Sequence, residues 1–243
     1  DPYFSVMDIP HDSVIGVDAC SAGWFATKYD SELRTQFCET IEEIVQKSQD
    51  QRILVDIPIG LNEACRRVCD EKAREYLGCR GNSVFRAPCR AVLDIDDPDE
   101  ASDKQHHKVG DGLSRQAFHI TDKIAKVDEL ITAEKYESAS VLESHPELCF
   151  YSFNGRPIAY PKSSERGRNL RLFLLKQEFE DAEAIYEDAL ADHYRKDVAR
   201  DDILDSMVLA AAARYDLQTV PDSPDLTQPR IYYPITETLS KVP

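Results

Sequence analysis

A chain of 243 residues, 42% of them hydrophobic, is long and apolar enough to bury a sizeable core and reads as a globular α/β protein. Its 45 acidic and 29 basic side chains give a formal charge of −16, which counts against a broad basic face for displacing nucleic-acid counterions without excluding one. No run approaches the roughly 18 apolar residues of a membrane helix, and the opening residues lack a signal peptide's basic flank and apolar run, so the sequence reads as cytoplasmic with no membrane partner.

Val14-Ile-Gly-Val-Asp18 has the pattern of a buried strand, followed by a tight turn at Cys20–Gly23 and further runs from Trp24 to Tyr29 and Leu33 to Cys38. Short strands joined by tight turns predict an antiparallel meander. Thr40 then caps a helix to about Lys47, with Glu42 and Glu43 in its first turn, and Ile53-Leu-Val-Asp56 is the next strand. From 62 to 136 the pattern is largely helical and reads as an insertion in the sheet. It comprises a helix from Glu63 to Leu77, a Gly/Arg/Pro-rich loop to Arg90, an acidic loop around Asp94–Glu100 that also carries His106 and His107, and a helix from Leu113 to Leu130. Cys65 and Cys69 would share one helix face, but no second Cys/His pair follows at zinc spacing. Seven cysteines in a chain without a secretory signal read as reduced thiols.

Ser140–Glu143 is the last strand expected in the sheet. A Pro146-led helix to about Phe153 follows, with others over Ser164–Lys176, Asp181 to about Arg195, and Asp202–Tyr215. After Val220, four prolines by Pro234 predict an irregular surface strap. Together these predict one domain over 1–243, with a core at about 14–60 and 138–215, a helical insertion at about 62–136 and a strap at 216–243. Arginines gather in two segments, Arg66 to Arg90 and Arg156 to Arg171, the second also carrying Lys162; each is either a local basic patch or an ordinary solvated helix face.

Three strand patterns end in an acid: Asp18, Asp56 and Glu143. In an open α/β sheet, ligands bind outside the carboxyl ends of the strands, so acids there converge on the binding edge. A single such acid often merely caps a turn. The late helix adds Asp202 and Asp205 at i and i+3, on one face of an apolar, alanine-rich segment. Asp201 or Asp202 can serve as an N-cap, but Asp205 lies a turn inside the helix, where no cap is needed and close packing desolvates the charge. Clustered carboxylates of this kind raise one another's pKa unless a cation neutralises them, and hard oxygen donors suit magnesium or manganese. Two such ions would activate a water and stabilise a departing oxygen in phosphoryl displacement.

The chain resembles a domain-of-unknown-function family whose members are labelled predicted RNase H-like nucleases. The resemblance runs from about Val14 to Ala213 and rests on Gly16-Val-Asp-Ala-Cys-Ser-Ala-Gly-Trp24, Asp56-Ile-Pro-Ile-Gly-Leu61, Arg80-Gly-Asn-Ser-Val-Phe-Arg-Ala-Pro88, Gly112-Leu-Ser-Arg-Gln116, Lys123-Ile-Ala-Lys-Val-Asp128, Glu143-Ser-His-Pro-Glu147 and Asp201-Asp-Ile-Leu-Asp205. It implies an RNase H-like three-layer α/β fold: a mixed five-stranded sheet, its first three strands antiparallel, flanked by helices. It also implies an acidic metal site like that of Holliday-junction resolvases. By motif, Asp18 is the central acid, Asp56 or Glu143 the second, and Asp202 with Asp205 the helix pair. Ser206 stands where alanine is more usual.

The resulting expectation is a metal-dependent nuclease or phosphodiesterase in which Asp18, Asp56 and Asp205 ligate magnesium or manganese and Glu143 and Asp202 support them. Arg80, Ser83, Lys123, His145 and Lys162 are candidate substrate-binding residues. Lys123 and Arg80 would hold phosphate, although Lys123 can equally pair with acids on its own helix. His145 would assist proton transfer, or simply bond backbone at a strand end. Ser83, near Phe85, would close over a nucleic-acid or nucleotide substrate. A non-catalytic nucleotide-binding module on the same fold is the alternative. An actin-like or sugar-kinase relative is weakened because no Asp-Gly-Thr-type phosphate loop follows Asp18.

Overall fold

The computed structural model describes residues 13–48, 50–132, 140–222, 225 and 227–237. Five strands form one sheet: β1 (Val14–Ala19), β2 (Trp24–Tyr29), β3 (Leu33–Cys38), β4 (Arg52–Val55) and β5 (Ser140–Glu143), in the order β3-β2-β1-β4-β5. β1–β2 and β2–β3 are antiparallel, while β1–β4 and β4–β5 are parallel, which is the mixed sheet the resemblance implies. Because β1, β4 and β5 run the same way, all three finish on one edge. There the Asp56 amide extends the β4 ladder to Val17 O at 2.9 Å, and the Ser144 amide extends that of β5 to Val55 O at 2.9 Å.

Both faces of the sheet are covered, so its side chains alternate between two apolar layers. Ile15, Val17, Ile53 and Val55 point toward α1 (Ile41–Gln46) and Ile124 and Val127 of α5 (Thr121–Thr132). Val14 and Leu54 point toward the larger layer of α2 (Val68–Leu77), α6 (Pro146–Asn154), α7 (Glu165–Glu178), α8 (Ala182–Asp192) and α9 (Arg200–Ala213). The centre of that layer is α9, whose residues from Ile203 to Ala213 are all buried. It lies directly on β1: a Cβ on Gly16 would sit 2.1 Å from Ser206 O and 2.2 Å from Ala210 N. Glycine is therefore required there for close approach, not for backbone freedom. Ser206 finds a purpose at the same contact, its hydroxyl 2.8 Å from that of buried Thr27 on β2. At the other end of α9, the buried Arg52 guanidinium donates to Ala213 O at 3.1 Å and Tyr215 O at 2.9 Å, satisfying carbonyls that the helix cannot.

Several expected boundaries shift. α2 begins at Val68 instead of Glu63, because Asn62 donates to Arg66 O and holds the preceding residues in a non-helical turn. The supposed acidic loop contains α3 (Pro98–Val109). Asp97 caps it by accepting from the Asp99 and Glu100 amides, Pro98 occupies the first turn, and Gly110 closes it at φ +89°. Only Ala101 and Gln105 of α3 are buried, so it lacks an apolar stripe. The expected helix from Leu113 to Leu130 is two, α4 (Arg115–His119), capped by Ser114, and α5, which begins at Thr121. The strap is not irregular throughout: β6 (Leu217–Val220) and β7 (Ile231–Pro234) form an antiparallel pair, and Tyr232 bridges to Ser144 beside β5.

All seven cysteines are free thiols, Cys65 and Cys79 exposed and the others buried. Among the described residues, no helix is long and apolar enough to cross a membrane.

Candidate functional site

At the edge where β1, β4 and β5 end lies a cavity of about 440 Å³. Six carboxylates line it: Asp18 after the core of β1, Asp56 after β4, Glu147 at the start of α6, and Asp201, Asp202 and Asp205 in the first turns of α9. Two cationic side chains join them, Arg80 and Lys162, with Asn82, Ser83, Phe85, His145 and the apolar Ile57 and Ile120 on the walls. The parallel strands deliver Asp18 and Asp56, and the packing of α9 on Gly16 delivers Asp202 and Asp205.

Crowding and burial set the charge state. Burial, then Asp56, Asp205 and Asp202, push the Asp18 carboxyl well above its ordinary range, against a pull from Lys162. Asp56 is raised by burial, opposed by His145 and Lys162. Asp205 is 2% exposed, and burial pushes its carboxyl up to about 6 even though Lys162 opposes the shift. Its Oδ2 accepts from Lys162 Nζ at 2.7 Å, while its Oδ1 is buried without a hydrogen-bond partner. Lys162 also reaches Asp201 at 3.1 Å, and its side chain remains 40% exposed, so it enters from the rim. Asp202 is also raised to about 6, chiefly by burial; its Oδ2 accepts from the Ala199 amide at 2.7 Å, which closes the first turn of α9. Asp202 thus caps its helix and lines the cavity at once.

Glu143 behaves differently from the acid the sequence suggests. It is not on the cavity wall; its Oε1 accepts from Arg67 at 2.5 Å and its Oε2 from the Ile59 amide at 2.6 Å. Arg67 also faces Asp70 at 3.2 Å, and Asp70 accepts from the Ala87 amide at 2.9 Å. This buried network ties β5 to the segment after β4, to the start of α2 and to the chain following Phe85. Glu143 braces the wall of the cavity from behind. The sequence places it at a strand end but carries no sign of the arginine that neutralises it.

Lys123 also stays outside the cavity, donating to Cys20 O and resting 5.8 Å from the Trp24 ring. His145 caps α6, its Nδ1 accepting from the Glu147 amide at 3.2 Å, while Nε2 lies 3.4 Å from Ser83 O. Ser83 donates to Arg80 O at 2.7 Å, so the 78–83 turn folds on itself beside His145. Arg80 points to Glu147 only at 4.0 Å, and its Nε is buried without a partner. Glu147 has no assigned role in the sequence reading, yet it is 4% exposed and held by the buried Arg171. As an acid in the first turn of a Pro146-led helix it reads as a partner of the helix dipole, so the spacing carries no sign of its place in the cavity.

By donor chemistry the cavity fits a hard divalent cation: four aspartates with raised pKa values and a buried carboxylate oxygen without a partner favour a multivalent charge. By geometry it is not closed around one, since among the described residues no three His, Cys, Asp or Glu side chains gather as a metal-holding group. The Lys162 ammonium stands at the Asp205 oxygen where a cation would be expected.

No curated protein and no solved structure matches the sequence. A family model does, over residues 16–225, spanning every carboxylate of the cavity. The chain belongs to that family, whose description is protein of unknown function (DUF429).

Proposed function

We propose that the chain is a metal-dependent phosphodiesterase of the RNase H-like nuclease kind, with its active site in the acidic cavity. The observation that carries this reading is the convergence of Asp18, Asp56, Asp202 and Asp205 from β1, β4 and α9 on one space, with Asp205 Oδ1 buried and unsatisfied. Asp18, Asp56 and Asp205 would hold a magnesium or manganese ion, which would supply water activation and charge neutralisation for an in-line displacement at phosphorus. Asp202 fixes the first turn of α9, so the aspartates keep their spacing. Lys162, whose ammonium now donates to Asp205 Oδ2, would be free to serve a substrate phosphate were that oxygen taken by a cation. Arg80 offers a guanidinium to the same cavity, 4.0 Å from Glu147. Seven free thiols support a reducing, cytoplasmic setting.

The Lys162–Asp205 pair also supports a second reading, a non-catalytic nucleotide-binding module in which the lysine is a permanent counter-ion. Titration of the purified chain with Mn²⁺ separates the two. The proposal expects saturable binding that Asp18→Asn weakens at least roughly tenfold, together with Mn²⁺-dependent cleavage of a phosphodiester that Asp18→Asn abolishes while leaving the fold intact. Cleavage that survives Asp18→Asn, or no Mn²⁺ binding at millimolar concentration, ends the catalytic reading.

A further inference from the structure

We propose that this cavity takes a small nucleotide, a mono- or dinucleotide phosphoester, and not a nucleic-acid chain, and that Arg80 binds its phosphate. The inference rests on the metal-phosphodiesterase reading above and narrows its substrate.

The first support is the fate of the basic residues. A polymer is held by a row of cations that follow its backbone, each phosphate contact releasing counterions. Here Arg66, Arg74, Arg86 and Arg90, in the same segment as Arg80, are already engaged by the protein itself. Arg66 pairs with Glu71 and Asp111, and Arg86 with Glu71. Arg90 pairs with Asp128 and Glu63. Arg74 donates to Val84 O and Asn82. The arginine-rich loop is thus cross-linked by its own carboxylates and carbonyls, and with 45 acidic against 29 basic residues the chain as a whole carries a net charge of the same sign as an incoming polyanion.

The second support lies inside the cavity. Two lining residues carry buried polar atoms without partners: Asp205 Oδ1, an acceptor, and Arg80 Nε, a donor. A single kind of ligand satisfies both, a divalent cation carried in with a phosphate. The cation answers the carboxylate and the phosphate oxygen answers the guanidinium, whose planar fork suits that geometry. The cavity volume of about 440 Å³ falls in the range of small-molecule sites, and Phe85, Ile57 and Ile120 give it apolar walls against which one or two bases can pack.

Binding is measured on the full chain with Ca²⁺ in place of Mg²⁺, so that chemistry is held off. The probes are the dinucleotide pApA, a 20-nucleotide oligoadenylate and a 20-base-pair duplex, each at two KCl concentrations. The proposal expects pApA to bind and the oligoadenylate to gain less than about tenfold once overlapping registers are counted. The salt slope should correspond to about one or two phosphate contacts for every probe. Arg80→Met should cost pApA roughly tenfold or more in affinity while Mn²⁺ affinity and unfolding temperature stay as they were. A larger gain on lengthening the chain, a slope of four or more contacts, or pApA affinity indifferent to Arg80→Met overturns it. Failure of pApA to bind also overturns it, and the Mn²⁺ titration without nucleotide then reports separately whether the metal site stands.

Discussion

Replacing Arg67 by methionine should destabilise the protein more than any other single truncation behind the cavity. Arg67 is 1% exposed, and it faces Glu143 and Asp70, at 6% and 5% exposure, at 2.5 and 3.2 Å. Methionine keeps much of the packing but leaves two buried carboxylates without their cation, a change that typically costs about 3–5 kcal/mol. For a chain of this length each kcal/mol lowers the midpoint by about 2–4 °C, so the expected loss is roughly 6–20 °C. The loss should depend on pH. With Arg67 present, burial already pushes Glu143 up to about 7. A carboxyl whose pKa is raised in the folded state binds its proton more tightly there than when unfolded, so its contribution is greatest at low pH and falls as pH climbs toward and through 7. Removing Arg67 raises Glu143 further, and the deficit at pH 8 should exceed that at pH 5 by about 1 kcal/mol. Thermal unfolding followed by circular dichroism at pH 5, 6.5 and 8 measures both quantities. Adding Glu143→Gln to the first substitution should recover part of the loss at pH 8. A midpoint within 3 °C of the parent, or an equal deficit at pH 5 and 8, would refute the account of Glu143 as a bracing residue held by Arg67.

The site acids predict a second pH effect of the same sign. Asp202 and Asp205 are pushed up to about 6 and Asp18 well above its usual range, so the metal-free protein should lose stability as pH rises from about 4 through 6. Mn²⁺ should restore more of the midpoint at pH 8 than at pH 5; equal shifts at the two values would argue that these acids are not its ligands. Lys162→Met, by removing the competing ammonium, should tighten Mn²⁺ binding roughly tenfold while lowering metal-free stability slightly, the lysine being 40% exposed. Unchanged or weaker Mn²⁺ affinity by calorimetry would show that Lys162 does not compete. Gly16→Ala should cost about 3 kcal/mol or more, because its methyl carbon would fall 2.1–2.2 Å from the backbone of α9. A denaturant midpoint close to the parent's would mean that α9 can lift from β1 freely.

The parts of the fold legible in the sequence are those with a strong local signal. Val14–Asp18 and Ile53–Asp56 read as strands because both faces are buried, leaving continuous apolar runs bounded by an acid. The three tight-turned strands announce an antiparallel ladder for the same local reason. α3 escaped because a helix with two buried residues has no periodic stripe to read; its Asp97-Pro98 start and Gly110 end were the available evidence. The β6–β7 pair escaped because prolines at either end masked four-residue strands. In the site, Asp205 was recognisable as an acid where no cap is needed, and it is indeed buried facing Lys162. That Glu143 and Lys123 stand off the cavity wall is not legible, because a side chain's partner across the fold leaves no trace in spacing. Arg67 lies 76 residues from Glu143, and Cys20, whose carbonyl holds Lys123, lies 103 residues away.

Main chain meets main chain where α9 crosses β1 at Gly16, with no side chain between them to change rotamer or yield. Asp18 lies two residues beyond that crossing on one partner, and Asp205 one residue before Ser206 on the other. The distance between these acids is therefore inherited from a seam that only wholesale separation of helix and strand can widen. The two cations of the cavity are not built into that seam: Lys162 follows Pro161 on an irregular connection and Arg80 sits in a single short turn. The spacing of the acids is thus set by backbone contact, while the cations reach them from segments outside it.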